Sequence, residues 1–471
     1  MNVCIIGTGY VGLTTGACLA YLGHQVSCID TDAAKISRLR AGDVPIYEPY
    51  LQELLEIARP HIEFSTDYRS GLAAAEVVFI AVGTPPNPDG GPDLRYVCAA
   101  AEGIGEYYEG EFVVVVNKST VPIGSGNWVE SILRESFQRY RGRQANGRFA
   151  VASNPEFLRE GTAIYDTLYP DRVVIGAENA HALEVLYTLY RPILDQSFTA
   201  PPFLTRPEEM SAVPLVSTDL SSAELVKYAA NAFLALKISY INEIGRLAGK
   251  VGADILQVAR GIGLDTRIGS RFLQPGVGWG GSCFGKDTAA LLATASEYNL
   301  RMPIVQAARD VNRHQRDLVI ERLLDELRIL KGRTIGLLGV AFKPQTDDLR
   351  DAPAVEIIQK LMDRGARVKV HDPVAMHRFR QEQPQLAALR SATPEECVQF
   401  CDAVVLMTEW PQYLEMNWSQ LATLMEKPLI LDARYALDPV RVGRAGFRYT
   451  TLDRWNPAPA RLAAATAGAL A

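Results

Sequence analysis

Asn2-Val3-Cys4-Ile5-Ile6-Gly7-Thr8-Gly9-Tyr10-Val11-Gly12 runs a short apolar segment straight into a Gly-x-Gly-x-x-Gly turn. The spacing predicts a buried strand over Asn2–Ile6, a helix over Tyr10–Leu22 and a second strand over Gln25–Ile29. In that setting the three glycines act differently. Gly7 makes the turn, Gly9 lets backbone approach a pyrophosphate, and Gly12 lets helix and strand pack closely. The helix N-terminus then faces the phosphates, with Tyr10 and Val11 in its first turn. Asp30 ends the second strand and can accept hydrogen bonds from a ribose diol. Its charge repels a 2′-phosphate, which favours NAD over NADP; Lys35 nearby weakens that preference slightly. Glycine clusters also mark plain turns, but here strand, helix and terminal acid all agree.

The alternation continues outward. Val77–Val82, Phe112–Asn117 and Phe149–Ala152 read as further short strands, so the first part is a parallel, doubly wound sheet with ligands beyond the carboxyl ends of its strands. Val82-Gly83-Thr84-Pro85-Pro86 and Lys118-Ser119-Thr120-Val121-Pro122 follow two of those strands and share that rim; each is otherwise an ordinary β–α loop. Arg191–Asp219 is proline-rich and reads as a loop-rich connection. A long helix follows, Ser221 to about Val251, with Asp219 or Ser221 as cap and Glu224 in the first turn. It is apolar nearly all round, which predicts burial. Thr334–Leu338, Pro353–Arg364, Arg367–Val370, Ala403–Met407 and Leu429–Asp432 form a second alternating unit. The fold class is therefore α/β, two Rossmann-like doubly wound domains joined by a long central helix. The expected boundaries are 1–212, 213–325 and 326–454, with a disordered Ala- and Pro-rich tail at 455–471.

Composition narrows the partners. The net charge of −6 gives no basic field for nucleic acid, so an anionic ligand needs local Lys, Arg and helix N-termini. Seven scattered cysteines without a C-x-x-C pair, and no signal peptide, point to free thiols in a reducing cytoplasm. Cys397 and Cys401, four apart on an expected helix, read as structural. The histidines lack metal-ligand spacing, so no metal is expected. No apolar run is long enough to span a membrane.

Gly276-Val277-Gly278-Trp279-Gly280-Gly281-Ser282-Cys283-Phe284-Gly285-Lys286-Asp287 sets one thiol after a glycine run. With a helix starting near Ser282, Cys283 falls in its first turn, where the dipole favours the thiolate. Asp287, four residues on, shares its face and can bind water or take a proton. A buried structural cysteine is the equal alternative. Lys227 and Asn231 are a second four-residue pair, able to stabilise an alkoxide or simply to lie on a solvated face. Glu156 and Glu160, in Asn154-Pro155-Glu156-Phe157-Leu158-Arg159-Glu160-Gly161, either order water and contact cofactor or serve as caps and ion pairs.

GTGYVG, VGTPP, KSTVP, NPEFLREGTA, ELVKYAANAFLALKISYINEI, DTRIG, GVGWGGSCFGKD and GVAFKPQTDDLRDAP occur in that order. With them the chain resembles the UDP-glucose/GDP-mannose dehydrogenase family over roughly residues 1–450. The resemblance implies a first domain that binds NAD, a last domain that binds the UDP end of a sugar nucleotide, and a central helix that supports a homodimer. It implies oxidation of a sugar C6 alcohol to a carboxylate with two NAD+ in succession. Carried over, Cys283 is the nucleophile and Lys227 and Asn231 stabilise the oxyanion. Asp287 and Thr120 position water, and Glu156 serves acid–base steps. Thr84, Thr120, Glu160, Lys286 and Arg350 join the cofactor set. The sugar nucleotide meets Glu156, Phe157, Leu158, Arg159, Glu160, Lys227, Asn231, Phe272, Gln274, Gly276, Gly278, Trp279, Gly280, Phe342, Lys343 and Arg434. Arg267, in DTRIG, reaches the partner's substrate. That segment is similar to the UDP-glucose branch, so the expected substrate is UDP-glucose, with GDP-mannose and UDP-N-acetylmannosamine as alternatives. A two-electron hydroxy-acid dehydrogenase and a non-catalytic nucleotide-sugar sensor explain fewer of these residues. Two positions depart from the family pattern: Gly285 stands where Pro is common, which loosens the loop after the thiol, and Trp279 where Phe or Tyr is usual, keeping an aromatic face for a ligand.

Overall fold

A computed structural model of the chain describes residues 1–88 and 90–453. The expected tail at 455–471 lies outside the described residues. The chain divides into two compact units, residues 1–230 with 289–301, and residues 231–288 with 302 onward.

The first unit is built on β1 (Asn2–Ile6), β2 (Gln25–Ile29), β3 (Ile62–Ser65), β4 (Val77–Ile80), β5 (Val113–Asn117), β6 (Phe149–Ser153), β7 (Val173–Ala177) and β8 (Leu215–Thr218). They form one sheet in the order β3-β2-β1-β4-β5-β6-β7-β8. Strands β4, β5 and β6 are buried on both faces, as apolar runs in a sheet covered by helices must be. Ile6 pairs with Ile29 and Ile80, Ile80 with Asn117, and Asn117 with Ser153. That register brings Gly7, Asp30, Val82, Lys118 and Asn154 to one rim. Only the β6–β7 pairing is antiparallel among the described strands of this sheet.

The proline-rich stretch is loop over 195–214, as expected, but its two ends are ordered. Pro192 sits inside the helix Ala180–Leu194, and Leu215–Thr218 is the edge strand β8. Between them the chain packs as a cover. Phe203 stacks on Tyr50 at 5.2 Å, Phe198 stacks on Tyr169 at 5.7 Å, and the Thr199 carbonyl accepts from the Tyr21 hydroxyl.

The second unit holds β9 (Thr334–Leu338), β10 (Arg367–His371), β11 (Leu389–Arg390), β12 (Ala403–Leu406), β13 (Leu429–Asp432) and β14 (Arg448–Thr451). Its sheet is parallel throughout, in the order β11-β10-β9-β12-β13-β14. Both sheets thus run 3-2-1-4-5-6 from their first strand, the doubly wound order with its switch point beside the first strand. Cys397 is in the short helix Pro394–Val398, but Cys401 lies past its end and donates back to the Cys397 carbonyl at 3.1 Å. Both thiols are buried.

The central helix is Leu220–Val251, and it passes from the first unit into the second. Asp219 caps it, accepting from Ser222 N at 2.8 Å. Leu225, Phe233, Tyr240, Leu247 and Val251 are exposed, so the helix is not buried all round. No described helix is long and apolar enough to cross a membrane, and no described cluster of His, Cys, Asp or Glu is gathered to hold a metal ion.

Candidate active site

The turn after β1 is shaped by its glycines. Gly7 sits at φ +101° and donates to the Ile29 carbonyl at 2.7 Å. A Cβ on Gly12 would run into the Gly7 carbonyl, whereas the space around a Cβ on Gly9 is open. Gly9 begins the helix Tyr10–Tyr21 with no side-chain cap, leaving first-turn N–H groups for a ligand. Asp30 accepts from Thr8 N at 2.9 Å, Thr8 Oγ1 at 2.7 Å, Asp32 N at 3.0 Å and Lys35 Nζ at 2.9 Å. Burial pushes its carboxyl up, but these donors outweigh it and hold the group at about 2. An open cradle beside an ionised, part-accessible acid fits a dinucleotide pyrophosphate and its adenosine ribose. Tyr10 is committed otherwise: its hydroxyl donates to buried Glu48, which also accepts from Gly161 N at 2.6 Å and Ala163 N at 2.7 Å. Glu48 was not legible as a site residue. It ties the turn after β1 to the end of the loop after β6.

On the same rim, buried Thr84 donates from Oγ1 to the Thr120 carbonyl at 3.0 Å. Glu156 is buried, and its Oε1 lies 2.9 Å from Lys227 Nζ. Its other oxygen accepts from Leu158 N at 2.7 Å. Desolvation opposes its ionisation, yet Lys227, the Leu158 amide and Lys118 overcome it and hold the carboxyl below its usual range. Lys118, which opens the KSTVP motif but had no role assigned to it, donates to Asn154 Oδ1 at 2.7 Å. Burial lowers its ammonium to about 8. Two ammonium groups around one carboxylate leave an excess of positive charge, suited to an oxyanion. Phe157 lies under the Arg172 guanidinium, 3.6 Å from its ring centre, and 5.5 Å from Lys227 Nζ. Glu160 is half-buried, whereas Arg159 points outward and is taken up by Asp166 at 2.6 Å.

The thiol belongs to the second unit. Its helix, Phe284–Glu297, starts two residues after the expected Ser282. Cys283 therefore precedes the helix, and its carbonyl accepts from Asp287 N at 2.8 Å. It is half-exposed with Ser282 Oγ 3.6 Å from its sulfur, while Cys4, Cys18, Cys28, Cys397 and Cys401 are buried. Burial pushes Cys18, Cys28 and Cys401 up to about 12, so those thiols are inert. Asp287 is fully buried; it accepts from Asn231 Nδ2 at 2.6 Å and lies 2.6 Å from Lys286 Nζ. Thus Lys227 holds Glu156 and Asn231 holds Asp287, both among the carboxylates singled out from sequence.

The glycine run is clamped by the helix Pro303–Leu327. Asn312 accepts from Trp279 N at 2.8 Å and donates to Trp279 O at 3.0 Å; Gln315 donates to Gly276 O at 2.8 Å. Gly278 has φ +98°, and Gly281, at φ +85°, lies so close to Phe342 that a Cβ would come within 2.8 Å of the ring. A Cβ on Gly280 would strike the Asp351 carbonyl. Trp279 does not keep a free face. It is buried, donates from Nε1 to Ser239 Oγ at 3.1 Å, and meets Phe284 edge-on. Gly285 does not loosen the segment either, because its carbonyl, inside the helix, accepts from Arg309 at 2.7 Å. Phe272 sits at φ +65° and Gln274 is exposed. Arg434 donates to the Met407 carbonyl at 2.6 Å and the Phe342 carbonyl at 2.9 Å. Lys343 Nζ stands 5.7 Å from the Phe342 ring centre. Arg350 grips Asp348 at 2.7 Å, and Arg267, 86% exposed, grips Asp265 at 2.6 Å.

Residues 1–194 match the NAD binding domain of the UDP-glucose/GDP-mannose dehydrogenase family, residues 221–314 its central domain and residues 336–439 its UDP binding domain. The chain is 41% identical over 461 residues to the UDP-glucose 6-dehydrogenase TuaD of Bacillus subtilis, covering 96% of this chain and 93% of that one. It is 43% identical to the UDP-glucose 6-dehydrogenase of Rhizobium meliloti, covering 96% and 100%. A solved UDP-glucose dehydrogenase from Pyrobaculum islandicum superposes with a TM-score of 0.84 at 37% identity, covering 96% of this chain and 98% of that chain. The chain belongs to the UDP-glucose/GDP-mannose dehydrogenase family, and NAD is its cofactor.

Proposed function

We propose that the protein oxidises the C6 alcohol of UDP-glucose to a carboxylate, giving UDP-glucuronate through a thioester on Cys283. The observation that carries this reading is the pairing of Lys227 with Glu156 and of Asn231 with Asp287, four residues apart on one helix. The relatives named above act on UDP-glucose, which favours that sugar nucleotide over GDP-mannose and UDP-N-acetylmannosamine.

Gly7, Gly9, Gly12, Asp30 and Lys35 would hold the dinucleotide, with Thr84, Thr120, Glu160, Lys286 and Arg350 towards its other end. Bound NAD+ supplies the hydride acceptor for both oxidations, so two NADH appear per sugar. In the first oxidation Lys227 and Asn231 stabilise the alkoxide at C6, and Glu156, ionised beside its two ammonium groups, draws off the proton. The Cys283 sulfur adds to the aldehyde carbon, and the aldehyde oxygen takes up a proton. This thiohemiacetal loses a hydride and a proton and becomes a thioester. Water positioned by Asp287 and Thr120 gives a proton to Glu156 and adds to the thioester carbonyl; the C–S bond breaks, the Cys283 thiolate departs, and the acid formed releases its remaining proton to solvent as the carboxylate. Phe157, Leu158, Arg159, the 272–280 segment, Phe342, Lys343 and Arg434 would receive the sugar nucleotide, so residues 1–212, 213–325 and 326–454 divide into cofactor, catalytic and nucleotide-sugar domains. The exposed stripe of Leu225, Phe233, Tyr240, Leu247 and Val251 suits a second copy of the chain, and Arg267 would reach that copy's substrate. Seven cysteines without a disulfide among them suit a reducing cytoplasm.

The test is NADH released per sugar with UDP-glucose, GDP-mannose and UDP-N-acetylmannosamine. Two NADH per UDP-glucose, with little turnover of the others, is expected. One NADH with a stable aldehyde contradicts the double oxidation. Cys283→Ser should lower acid formation by about a thousandfold or more, as losing a nucleophile does; full acid production refutes the thiol's role.

A further inference from the structure

Glu224 is buried on the first turns of the central helix, yet it does not serve that helix's own N-terminus. Its two oxygens reach across to the start of the helix Ser125–Arg141, accepting from Gly124 N at 2.6 Å and Gly126 N at 2.9 Å. That helix has no cap of its own: Gly124 is its N-cap residue at φ +92° and carries no side chain. The contact is close, since a Cβ on Gly126 would come within 3.0 Å of the Leu220 side chain. A carboxylate shared by two helix-terminal N–H groups satisfies donors that would otherwise be left buried, and it meets the positive end of the helix.

The segment leading into Gly124 is Lys118–Ile123, which carries Thr120. Ser125 N donates to the Pro122 carbonyl at 3.1 Å, so the loop closes directly onto the capped turn. On the opposite side Thr84 holds the Thr120 carbonyl. Glu224 also stands three residues before Lys227, one turn along the helix. One stretch of the central helix therefore grips both the end of the Thr120 loop and, through Lys227, the buried Glu156.

We infer that Glu224 is a positioning residue that locks the Lys118–Gly126 loop to the central helix, holding Thr120 in fixed register with Lys227 and Glu156. The inference rests on the reaction proposed above. A displacement of about 1 Å in such a constellation costs on the order of a hundredfold in rate without requiring a change in ground-state affinity.

Glu224→Gln keeps the side chain's shape but turns an NH2 group towards a backbone N–H. In the full-length protein we expect amide hydrogen exchange across 118–127 to rise about tenfold, with the rest of the first sheet unchanged. We expect kcat on UDP-glucose to fall about tenfold or more. KM for UDP-glucose should stay within about threefold and the thermal midpoint within a few degrees. Should Glu224→Gln fail to fold, Glu224→Asp, one methylene short of its donors but still charged, is measured the same way. Unchanged exchange across 118–127, or raised exchange with wild-type kcat, overturns the inference. A parallel loss of kcat, KM and thermal midpoint overturns it too, because a merely structural carboxylate would produce that. If the wild type makes no NADH from UDP-glucose, the reaction assignment has failed, and the exchange data alone still decide whether Glu224 locks the loop.

Discussion

The two units turn the chain in the same way and use the turn differently. At the end of β1, Gly7 has φ +101° and donates to the Ile29 carbonyl at 2.7 Å; at the end of β9, Gly339 has φ +99° and donates to the His371 carbonyl at 2.8 Å. An aspartate follows the neighbouring strand in both, Asp30 after β2 and Asp372 after β10. In the first unit Gly9 and Gly12 keep the turn open and a helix begins at once. In the second, Ala341 and Pro344 stand at those two places, and the next helix waits until Pro353. Asp372 is buried, accepting from Val340 N, Ala341 N, Val374 N, Ala375 N and Trp410 Nε1 at 2.8 to 3.2 Å. Asp30 keeps part of its surface, and one of its partners is a lysine side chain that can move aside. The same fold position thus stays part-accessible in one unit and is filled by protein donors in the other. What differs is the donor set: backbone amides and Trp410 Nε1 fill Asp372, whereas a hydroxyl and a lysine side chain are among the partners of Asp30.

The largest expected effect breaks the open turn. Gly12→Ala sets a Cβ against the Gly7 carbonyl. It should cost about 3 kcal/mol or more of stability and abolish saturable NAD+ binding. Ala341→Gly, at the place Gly9 holds in the first unit, should cost only about 1 kcal/mol, with NAD+ affinity unchanged. Chemical denaturation and calorimetric titration of the two variants make the comparison.

Next in size, Asp372→Asn turns an amide donor onto backbone N–H groups. Unfolding free energy should drop by about 2–3 kcal/mol while NAD+ binding stays at its wild-type strength. A weaker NAD+ complex with wild-type stability would reverse the roles assigned to the two acids. Smaller still, Asp30→Asn removes the charge proposed to meet the ribose. NAD+ affinity should weaken about tenfold, and discrimination against NADP+ should shrink, with little change in the denaturation midpoint.

What the sequence made legible follows the same division. The turn after β1 is local: three glycines, a strand, a helix and an acid lie within thirty residues, so periodicity and turn chemistry suffice. The thiol segment and the Lys227/Asn231 pair were legible as separate motifs. That Asn231 meets Asp287, 56 residues on, is set by tertiary packing and leaves no local trace. Glu48 escaped notice and Glu224 was read only as a first-turn acid for that reason, since their partners are backbone amides about a hundred residues away. The central helix looked buried because composition counts apolar residues without telling which faces other elements cover. β8 was hidden among prolines, and its exposed Val216 marks the edge position where such a strand is tolerated. Trp279 and Gly285 were judged by side-chain type, whereas Ser239, Phe284 and Arg309 settle what each does.

The contrast between the two acids is tested most directly by calorimetric titration of NAD+ into the wild type, Asp30→Asn and Asp372→Asn. One NAD+ per chain is expected, with an affinity about tenfold weaker in Asp30→Asn and wild-type affinity in Asp372→Asn. Two NAD+ per chain, or an Asp372→Asn protein that binds as weakly as Asp30→Asn, would contradict that contrast.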